Sequence, residues 1–499
     1  MKTKRIVSMV LVSVMALTLG LAQLWAGGRQ AAGSGRPHHI VMAYIGGDQQ
    51  DMAKVTAAIN EASLRDINMT VEFIQMGFGD YNARTQLILS GGDEIDIVPI
   101  FFNNAGNLKN SGLIVNLADY IYDHGKDILA ALGEDVAVSG AISGFVYGTP
   151  AQKESASRTG IVMRKDIVDA CGIDVSAIHT LTDLGAVYAK VKARYPNIDC
   201  FSGINFILQI ENHDTLLDDF GVLLDGGRIT TVTNWFESEE FRYKARLINE
   251  YYKAGYVKLD AATSTETAQS LVRAGTLFSY LSPVKPGFLI QENAACGREM
   301  VTAYIGTEDR SNDSNNLYTY SVNFFNWGIA ASSKDPVKAM QFLNWCYKSP
   351  DFNNLINFGI EGEHYAFVNG SNRIIDFPPG IDGTNNRYHL NMGWFFPNQF
   401  IGHIWNGLPG DIWDQYKRFN DSAHKSRAFG FMYDSSSVQT ILAGLSSIQS
   451  EYVNAIATGS VEDVDKAIQE LNQKLYSAGL QRVIDLKQSQ LNAWLASRK

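Results

Sequence analysis

Short apolar runs and amphipathic stretches alternate through the first third of the chain. Residues 40–45 are continuously apolar and end at two glycines, as expected of a strand that is buried on both faces. Apolar residues then recur at helical spacing over 52–59, and Asp48 is expected to cap that helix. The remaining elements of this region are two further strands and a helix, at 69–74, 95–102 and 81–89. This alternation predicts a parallel sheet covered by helices.

The pattern changes near residue 150, where the chain is expected to leave one lobe and enter another. Residues 144–150 form a short aromatic strand that ends at a proline, and residues 160–163 begin a second set of strands and helices. In that set, helices are predicted near 183–195, 239–252 and 269–273, with a strand at 277–281. Residues 370–410 are rich in glycine, proline and asparagine, which is typical of loops between short elements.

The C-terminal tail is predicted to be helical. Apolar residues between 438 and 456 fall on one face of a helix. Ser460 and Asp463 are expected to form a capping box for the next helix, which Gly479 ends. A last helix is predicted from 480 to about 495.

The first 26 residues have the pattern of an export signal. Three basic residues among the first five precede an apolar run at 6–24, and small residues near its end fit cleavage after Ala22 or Ala26. An uncleaved membrane anchor is the alternative, since the run is long enough to span a bilayer. No cysteine lies near the cleavage region to accept a lipid. The protein is therefore expected to be exported to a periplasm without a lipid anchor.

Composition indicates a folded chain of two or three domains. Of its 499 residues, 45% are hydrophobic and 19% are charged, so large cores can form. The formal charge of −10 repels phosphate backbones and disfavours nucleic-acid binding. The four cysteines are far apart and form no CxxC pair, which disfavours zinc and leaves disulfides and free thiols as alternatives. No metal and no cofactor are expected.

Several segments, in this order, resemble the extracellular solute-binding proteins of ABC transporters, family 1, which bind carbohydrates. They are YNARTQLILSGGDEIDIV at 81–98, GTP at 148–150, IVMRKD at 161–166, TLTDL at 180–184, and WGIA at 327–330 with the helix after it. FGIEGEHY at 358–365 resembles the GieGkhY signature of a lipoprotein-like subgroup that carries a conserved C-terminal domain of unknown function. Residues 478–494 resemble the end of that domain. Many relatives carry a lipid-anchoring cysteine, which this chain lacks.

The resemblance implies an α/β fold of the type II periplasmic-binding-protein kind, with two α/β lobes around a hinge and a helical C-terminal extension. Lobe 1 is expected to contain residues 37–149 and about 327–358. Lobe 2 is expected to contain 150–326 and about 359–430, with the helical region 431–499 packed on it. The implied function is capture of a sugar or oligosaccharide between the lobes and delivery to ABC permease subunits, by a monomer that performs no catalysis.

Candidate ligand-binding residues come from the strand ends and from the segments between the lobes. Sugar hydroxyls require polar partners, and the C–H faces of a sugar ring pack on aromatic side chains. Core packing is the competing interpretation for each aromatic residue, and Glu361 has an alternative role in satisfying backbone donors of its turn. The candidates are Tyr44, Asp48, Phe102, Asn103, Lys153, Glu154, Asn326, Trp327, Glu361, Tyr365 and Trp394.

Three other functions are compatible with the sequence. An exported glycoside hydrolase would also be acidic and rich in aromatic residues, but it needs two carboxylates facing one glycosidic bond, and no pair stands out among the 52 acids. A ligand-sensing subunit of a receptor would have the same two lobes. A binder of peptides rather than sugars would differ only in its groove.

Overall fold

The computed structural model describes residues 35–498 except 78–80, 93, 157, 204–212, 265, 307–316, 320, 369, 384 and the side chain of Asn82. The predicted export signal lies outside the described residues. The strands are β1 His38–Ile45, β2 Met69–Met76, β3 Ile97–Phe101, β4 Gly140–Ile142, β5 Phe145–Gly148, β6 Thr159–Arg164, β7 Asp199–Phe201, β8 Val222–Leu223, β9 Val232–Thr233, β10 Leu277–Pro283, β11 Met300–Tyr304, β12 Tyr318–Thr319, β13 Phe325–Ile329, β14 Ala366–Phe367, β15 Ile374–Asp376, β16 Ile404–Trp405 and β17 His424–Lys425.

The helices alternate with these strands and then dominate the C-terminal region. They are α1 Met52–Ile67, α2 Tyr81–Gly91, α3 Phe102–Asn110, α4 Ile121–His124, α5 Lys126–Leu132, α6 Glu134–Ala137, α7 Lys165–Ala170, α8 Asp183–Arg194, α9 Leu224–Gly227, α10 Glu239–Lys253, α11 Ala268–Ala274, α12 Phe288–Cys296, α13 Pro336–Lys348, α14 Pro350–Phe358, α15 Ile412–Ser422, α16 Gln439–Ala457, α17 Val464–Ser477 and α18 Leu480–Ser497. None of the helices in the described part of the chain combines the length and hydropathy needed to cross a bilayer.

The first lobe is built on a four-stranded sheet in the order β13-β3-β1-β2. The prediction of a parallel β1, β2 and β3 is confirmed, and β13 joins this sheet antiparallel to β3. The predicted cap of α1 is wrong, because Asp51 rather than Asp48 precedes the helix and its side chain makes no capping bond. The third strand is shorter than predicted, since α3 already begins at Phe102. Phe102, which follows the carboxyl end of β3, is therefore the first residue of a helix.

The second lobe contains a four-stranded sheet in the order β11-β6-β10-β7. Only the β7–β10 pair is parallel, and β6 pairs antiparallel with both β10 and β11. The C-terminal helices share one hydrophobic core with this lobe, as shown by Ile161 and Phe278 of the sheet and Leu445, Leu471 and Leu491 of the helices. The molecule thus consists of two α/β lobes with a helical C-terminal region.

Two local features of the C-terminal half differ from expectation. Residues 388–396 were assigned to lobe 2, yet the side chains of Tyr388, Phe395 and Phe396 lie in the core of lobe 1. The rings of Phe395 and Phe396 pack against Trp327, a contact between segments far apart in sequence. The capping box is also wrong, because Asp463 itself is the N-cap of α17 and accepts a hydrogen bond from the N–H of Lys466.

The chain passes between the lobes in adjacent segments that hydrogen-bond to one another. Thr149 and Trp327 exchange two backbone hydrogen bonds, of 3.0 and 2.8 Å. The N–H of Gln152 donates to the carbonyl of Pro397 at 2.8 Å, which brings a third segment alongside. The three segments therefore run side by side where the chain passes between the lobes.

All four cysteines lie in the described part of the chain, and all are free. Cys200, Cys296 and Cys346 are buried, and burial raises the pKa of the Cys346 thiol well above its usual value. A buried thiol with a raised pKa is a poor nucleophile, so these residues act as small core side chains.

Candidate functional site

A continuous row of aromatic rings follows the edge of lobe 1 that faces lobe 2. The ring centroids of Phe102 and Phe324 are 6.0 Å apart, and those of Phe324 and Phe101 are 5.4 Å apart. Phe101 is 6.0 Å from Phe325, which is 6.1 Å from Trp394. We call these five rings the aromatic strip. Because β3 ends where the antiparallel β13 begins, both strands bring their aromatic residues to the same edge.

Two rings of the strip are exposed despite their size. The side chain of Phe324 is 59% exposed and that of Trp394 is 36% exposed. A large aromatic ring in water forgoes the free energy of burial, about 1.5–3 kcal/mol for a fully buried Phe. Exposed rings that are braced by buried rings are a typical platform for the apolar faces of sugars or for other flat ligands.

One end of the strip opens into a cavity of about 190 Å³, here called the hinge cavity. Its aromatic lining residues come from α14, α15 and the segment between them, which includes β16, and they are Phe358, Trp394, His403, Trp405, Trp413 and Tyr416. Its amide lining residues are Gln291, Asn353, Asn357, Asn391, Asn398 and Gln399. The amides of Asn353, Asn357 and Asn398 are buried and already bond the backbone through both their NH2 and C=O groups. Amides both donate and accept hydrogen bonds, so Gln291, Asn391 and Gln399 can pair with neutral hydroxyl groups.

Hydrogen bonds hold the side chains of the hinge cavity in place. The indole N–H of Trp405 donates to Oδ1 of Asn391 at 2.9 Å, and that of Trp413 donates to the carbonyl of Gly402 at 2.8 Å. Asn391 adopts a left-handed backbone conformation, with φ at 48°. Fixed rings lose little conformational entropy when a ligand packs on them, so the cavity is preorganised.

A charged pair from lobe 2 lies beside the hinge cavity. Nζ of Lys285, which lines the cavity, is 2.7 Å from Oε1 of Glu154, and it lies 5.5 Å from the centre of the Tyr416 ring. Lys153 donates to the backbone carbonyl of Glu154 at 2.8 Å, and burial lowers the pKa of its ammonium group. Oε2 of Glu154 has no hydrogen-bond partner among the described residues.

The other end of the strip opens into a second cavity, of about 330 Å³, here called the loop cavity. Lobe 1 contributes Phe102 and Asn103 to its wall. Loop 213–221 of lobe 2 contributes Leu217, Asp218 and Phe220. The start of the C-terminal helical region contributes Met432, Tyr433, Ser435, Gln439 and Leu442. The aromatic strip therefore joins two interlobe cavities into one groove.

Loop 213–221 is held in a conformation that is rare for its residues. Leu216 and Leu217 have φ values of 49° and 77°, which are left-handed conformations that side chains disfavour. Each such residue costs roughly 1–2 kcal/mol. The backbone N–H of Leu216 donates to Oδ1 of Asp214 at 2.9 Å, and Leu217 packs against the core of lobe 1.

Comparison with known proteins identifies the family. The family model described as bacterial extracellular solute-binding protein matches residues 54–366, well over half of the chain. The chain belongs to this family. A second model, described as a domain of unknown function, DUF3502, matches residues 427–496. The C-terminal helices and the 432–442 wall of the loop cavity therefore lie within that domain.

Individual relatives cover almost the whole solute-binding protein. A carbohydrate ABC transporter substrate-binding protein of Streptococcus pneumoniae serotype 4 is 26% identical over 98% of both chains. The crystal structure of an N-glycan transport solute-binding protein, NgtS, from Streptococcus pneumoniae matches with a TM-score of 0.79 at 24% identity, over 93% of this chain and 100% of the other. The NgtS complex with Man5GlcNAc matches with a TM-score of 0.66 at 24% identity, over 93% and 99%.

Five of the candidate residues lie in or beside the groove of this solute-binding protein. Phe102 and Asn103 line the loop cavity, and Trp394 lines the hinge cavity. Lys153 and Glu154 lie behind the hinge cavity, where Glu154 contacts Lys285. The structure thus brings residues from both lobes and from the connecting segments to one surface.

Three candidates lie in the core of lobe 1 instead. Tyr44 is 1% exposed, and burial raises the pKa of its phenol to about 12. Trp327 is fully buried and donates its indole N–H to the carbonyl of Phe395 at 3.1 Å. Asn326 is also fully buried and donates to Asn323 at 3.1 Å. A strand that is covered on both faces leaves none of these side chains free to contact a ligand.

The remaining candidates do not join the groove. Asp48 and Glu361 are exposed, and neither lines the two cavities. Tyr365 is nearly buried, and its hydroxyl oxygen is 3.4 Å from Nε2 of His403, whose ring lines the hinge cavity. Tyr365 therefore contacts His403 but does not itself line the hinge cavity.

The signature loop at 358–365 has a structural role in this fold. The N–H of Ile360 donates to Nδ1 of His364 at 2.9 Å, so the ring proton must be on Nε2, which is 3.2 Å from Oδ2 of Asp51. Gly359 has φ at 81°, and a Cβ atom there would lie 2.5 Å from Nδ1 of His364. Gly359 and His364 together hold the 358–365 loop against the N-terminal end of α1.

Asp51, Glu363 and His364 also form a group whose possible ligand atoms all lie within 4.8 Å of one another. Both carboxylates already have cationic partners, since Asp51 pairs with Arg387 at 2.7 Å and Glu363 pairs with Lys54. Hydrogen bonds from Arg387 and His364 lower the pKa of Asp51 to about 2. A metal ion would have to displace both cations, so the group is an ion-pair network.

The prediction missed most residues that shape the groove. Lys285, Phe324, Trp413 and Tyr416 were not candidates, nor was Asp218. A local signal exists for the 391–416 segment, where tryptophan, asparagine, glutamine and glycine are concentrated. No local signal marks Lys285 or Asp218, because each belongs to the site only through contacts with distant segments.

Proposed function

We propose that the protein is the extracytoplasmic substrate-binding component of an ABC importer, and that it captures an oligosaccharide between its lobes for delivery to membrane permeases. The observation that carries this proposal is the aromatic strip, which has exposed rings at Phe324 and Trp394 and joins two cavities between the lobes. The strip offers rings to sugar faces, and the amides of the hinge cavity offer partners to sugar hydroxyls.

The length of the groove favours an oligosaccharide over a single sugar. Phe102 at one end and Trp394 at the other are separated by three intervening rings, each about one ring diameter from the next. A monosaccharide would cover only one end of this row. The similarity to a carbohydrate-transporter protein and to NgtS in complex with Man5GlcNAc also supports an oligosaccharide.

Binding is expected to close the lobes about the paired connecting segments. A ligand that contacts both lobes binds the closed form better, and only that difference in affinity can shift the population. The permeases would then recognise the closed form.

The groove supports binding rather than hydrolysis. A glycosidase needs two carboxylates that flank one glycosidic bond. Among the described lining residues, the hinge cavity has no Asp or Glu, and the loop cavity has Asp218, which is already paired with Lys487. The lining of the groove thus supports the proposal that the protein acts without catalysis. We further propose that it is an exported, periplasmic monomer without a lipid anchor.

The direct test is calorimetric titration with Man5GlcNAc, mannose, a uronate oligosaccharide and a short peptide, with chromatography of the recovered ligand. We expect saturable one-to-one binding of the neutral oligosaccharide and its recovery unchanged. Product formation would replace the proposal with the hydrolase. Binding of the peptide alone would overturn the carbohydrate assignment and leave a solute importer for peptides.

A further inference from the structure

The loop cavity has a wall that belongs to the C-terminal domain of unknown function. Tyr433 lines the cavity opposite Phe102 of lobe 1, and both it and its neighbours in the wall fall within the matched range 427–496. The same domain sends a buried lysine from its last helix to loop 213–221, which forms the adjoining wall. The domain thus contacts the groove in two ways, directly and through the loop.

Lys487 of α18 is the centre of this contact. Its side chain is fully buried, and Nζ donates to Oδ1 of Asp218 at 2.6 Å and to the carbonyl of Gly221 at 2.9 Å. The ammonium group also lies 4.8 Å from the centre of the Tyr433 ring. One cation therefore fixes the loop carboxylate, the end of the loop and the aromatic ring of the cavity wall.

Asp218 is fully engaged in holding the loop. Besides Lys487, it accepts hydrogen bonds from the hydroxyl of Tyr433 and, at 2.8 Å, from the N–H of Phe220. Gln449 of α16 donates to the neighbouring Asp219, so a second C-terminal helix holds the same loop. With its acceptors occupied, Asp218 orients the loop rather than offering hydrogen bonds to a ligand.

The backbone conformation of loop 213–221 explains why the loop needs contacts that keep it in place. Leu216 and Leu217 occupy left-handed conformations, which a free loop would leave. In the held conformation, Leu217 reaches the core of lobe 1 and Phe220 faces the cavity. Release of the loop would remove both apolar side chains from the groove.

We infer that the C-terminal domain positions loop 213–221 for ligand binding, with Lys487 as the positioning residue. This inference rests on the proposed function for its consequence in binding. The holding of the loop itself is independent of any ligand. A domain that folds over lobe 2 thereby sets the shape of one end of the groove.

The first measurement uses the ligand-free protein. Hydrogen–deuterium exchange of the peptide that covers 213–223 is compared in the wild type, in Lys487→Met, in Gln449→Leu and in the double variant Lys487→Met with Asp218→Asn. The double variant also removes the charge that Lys487→Met leaves unpaired, so it provides the comparison if the single variant does not fold. We expect exchange of this peptide to rise about tenfold in the Lys487 variants and less in Gln449→Leu, while peptides of β6 and β10 keep their wild-type exchange.

The second measurement is the affinity for Man5GlcNAc. We expect the double variant to bind about tenfold more weakly than the wild type, a difference of about 1.4 kcal/mol. Lys474→Met is the matched control, because Lys474 lies in the same domain, is exposed and pairs with Glu451 at 3.3 Å. The control should match the wild type in both measurements.

The possible results distinguish failure of the inference about the loop from failure of the proposed function. Unchanged loop exchange in a folded Lys487 variant overturns the inference. Raised exchange with unchanged affinity for Man5GlcNAc also overturns it, because the loop would then not matter for binding. If the wild type binds no carbohydrate, the proposed function fails, and the exchange measurement alone still shows whether the domain holds the loop.

Discussion

The two ends of the groove are built by different means. The hinge cavity is lined mainly by amides and indoles, which neutral hydrogen bonds hold in place. The loop cavity depends on a buried ammonium–carboxylate pair between Lys487 and Asp218 and on a strained loop. Removal of a charged side chain should therefore lower the free energy of unfolding little at the hinge cavity and more at the loop cavity. A ligand would meet a rigid surface at one end and a surface supported by the C-terminal domain at the other.

The largest expected effect is loss of stability at the loop end. Lys487→Met should lower the free energy of unfolding by about 3 kcal/mol, because it leaves the Asp218 carboxylate without its buried partner. Urea denaturation of the variant and the wild type measures the difference. A change below about 1 kcal/mol would mean that the pair behaves like a surface salt bridge and would remove the contrast between the two ends.

Loss of the exposed ring at the hinge end should weaken binding next most strongly. Trp394→Ala should reduce the affinity for Man5GlcNAc by about 30-fold, equivalent to about 2 kcal/mol, because the ring is a platform for a sugar face. Calorimetric titration checks this, with Tyr122→Ala as the control at an exposed ring that lines neither cavity. Equal losses in the two variants would show that Trp394 has no specific role.

The hinge end should respond to pH through His403. Burial lowers the pKa of its imidazole to about 4, so the unfolded chain binds a proton more readily than the folded protein between pH 4 and about 6.5. This contribution to stability is fully present above about pH 6.5 and is lost as the pH falls toward 4. Thermal unfolding at pH 7 and pH 5 should show a smaller decrease in His403→Gln than in the wild type. An equal decrease in both proteins would assign the effect to other groups.

The smallest expected effect concerns the partly exposed pair at the hinge end. Glu154 is only 12% exposed, but the Lys285 side chain is 32% exposed, so solvent screens its charge. The ammonium group of Lys153 also interacts with the Glu154 carboxylate and stays in place when Lys285 is lost. Lys285→Met should therefore change the free energy of unfolding by about 1 kcal/mol or less. Urea denaturation alongside Lys487→Met gives the comparison directly. A loss as large as that of Lys487→Met would show that charge is equally important at both ends.

Local patterning was sufficient for the first strands of lobe 1 and for the helices of the tail. The apolar runs of β1 and β2 and the helical spacing in α16 and α17 depend on nearby residues, so they could be predicted from short windows. The caps were wrong by three residues in two places, because the residue at which a helix begins depends on packing that a short window of sequence does not contain. Asp51 and Asp463 occupy the positions expected for Asp48 and Ser460.

Prediction of the groove was less complete because an aromatic residue has the same sequence signal in a core as in a site. Phe324 and Trp327 lie three residues apart, yet the first is exposed in the groove and the second is fully buried. Packing of residues 388–396 against β13 decides between these two outcomes. Phe102, Asn103 and Trp394 line the two cavities and stay predictions as ligand-binding residues; strand ends and tryptophan-rich loops are local signals that the sequence does carry.

The sequence alone determined the two α/β lobes, the helical tail and the relationship to the extracellular solute-binding proteins, because hydrophobic periodicity and family motifs are properties of contiguous residues. Only the tertiary structure decided which rings face the groove and which residues hold it. Lys487 reaches Asp218 from 269 positions away in the chain, and Trp394 meets Phe325 through the packing of lobe 1. Such contacts depend on how complete elements pack, and no short segment of sequence carries that information.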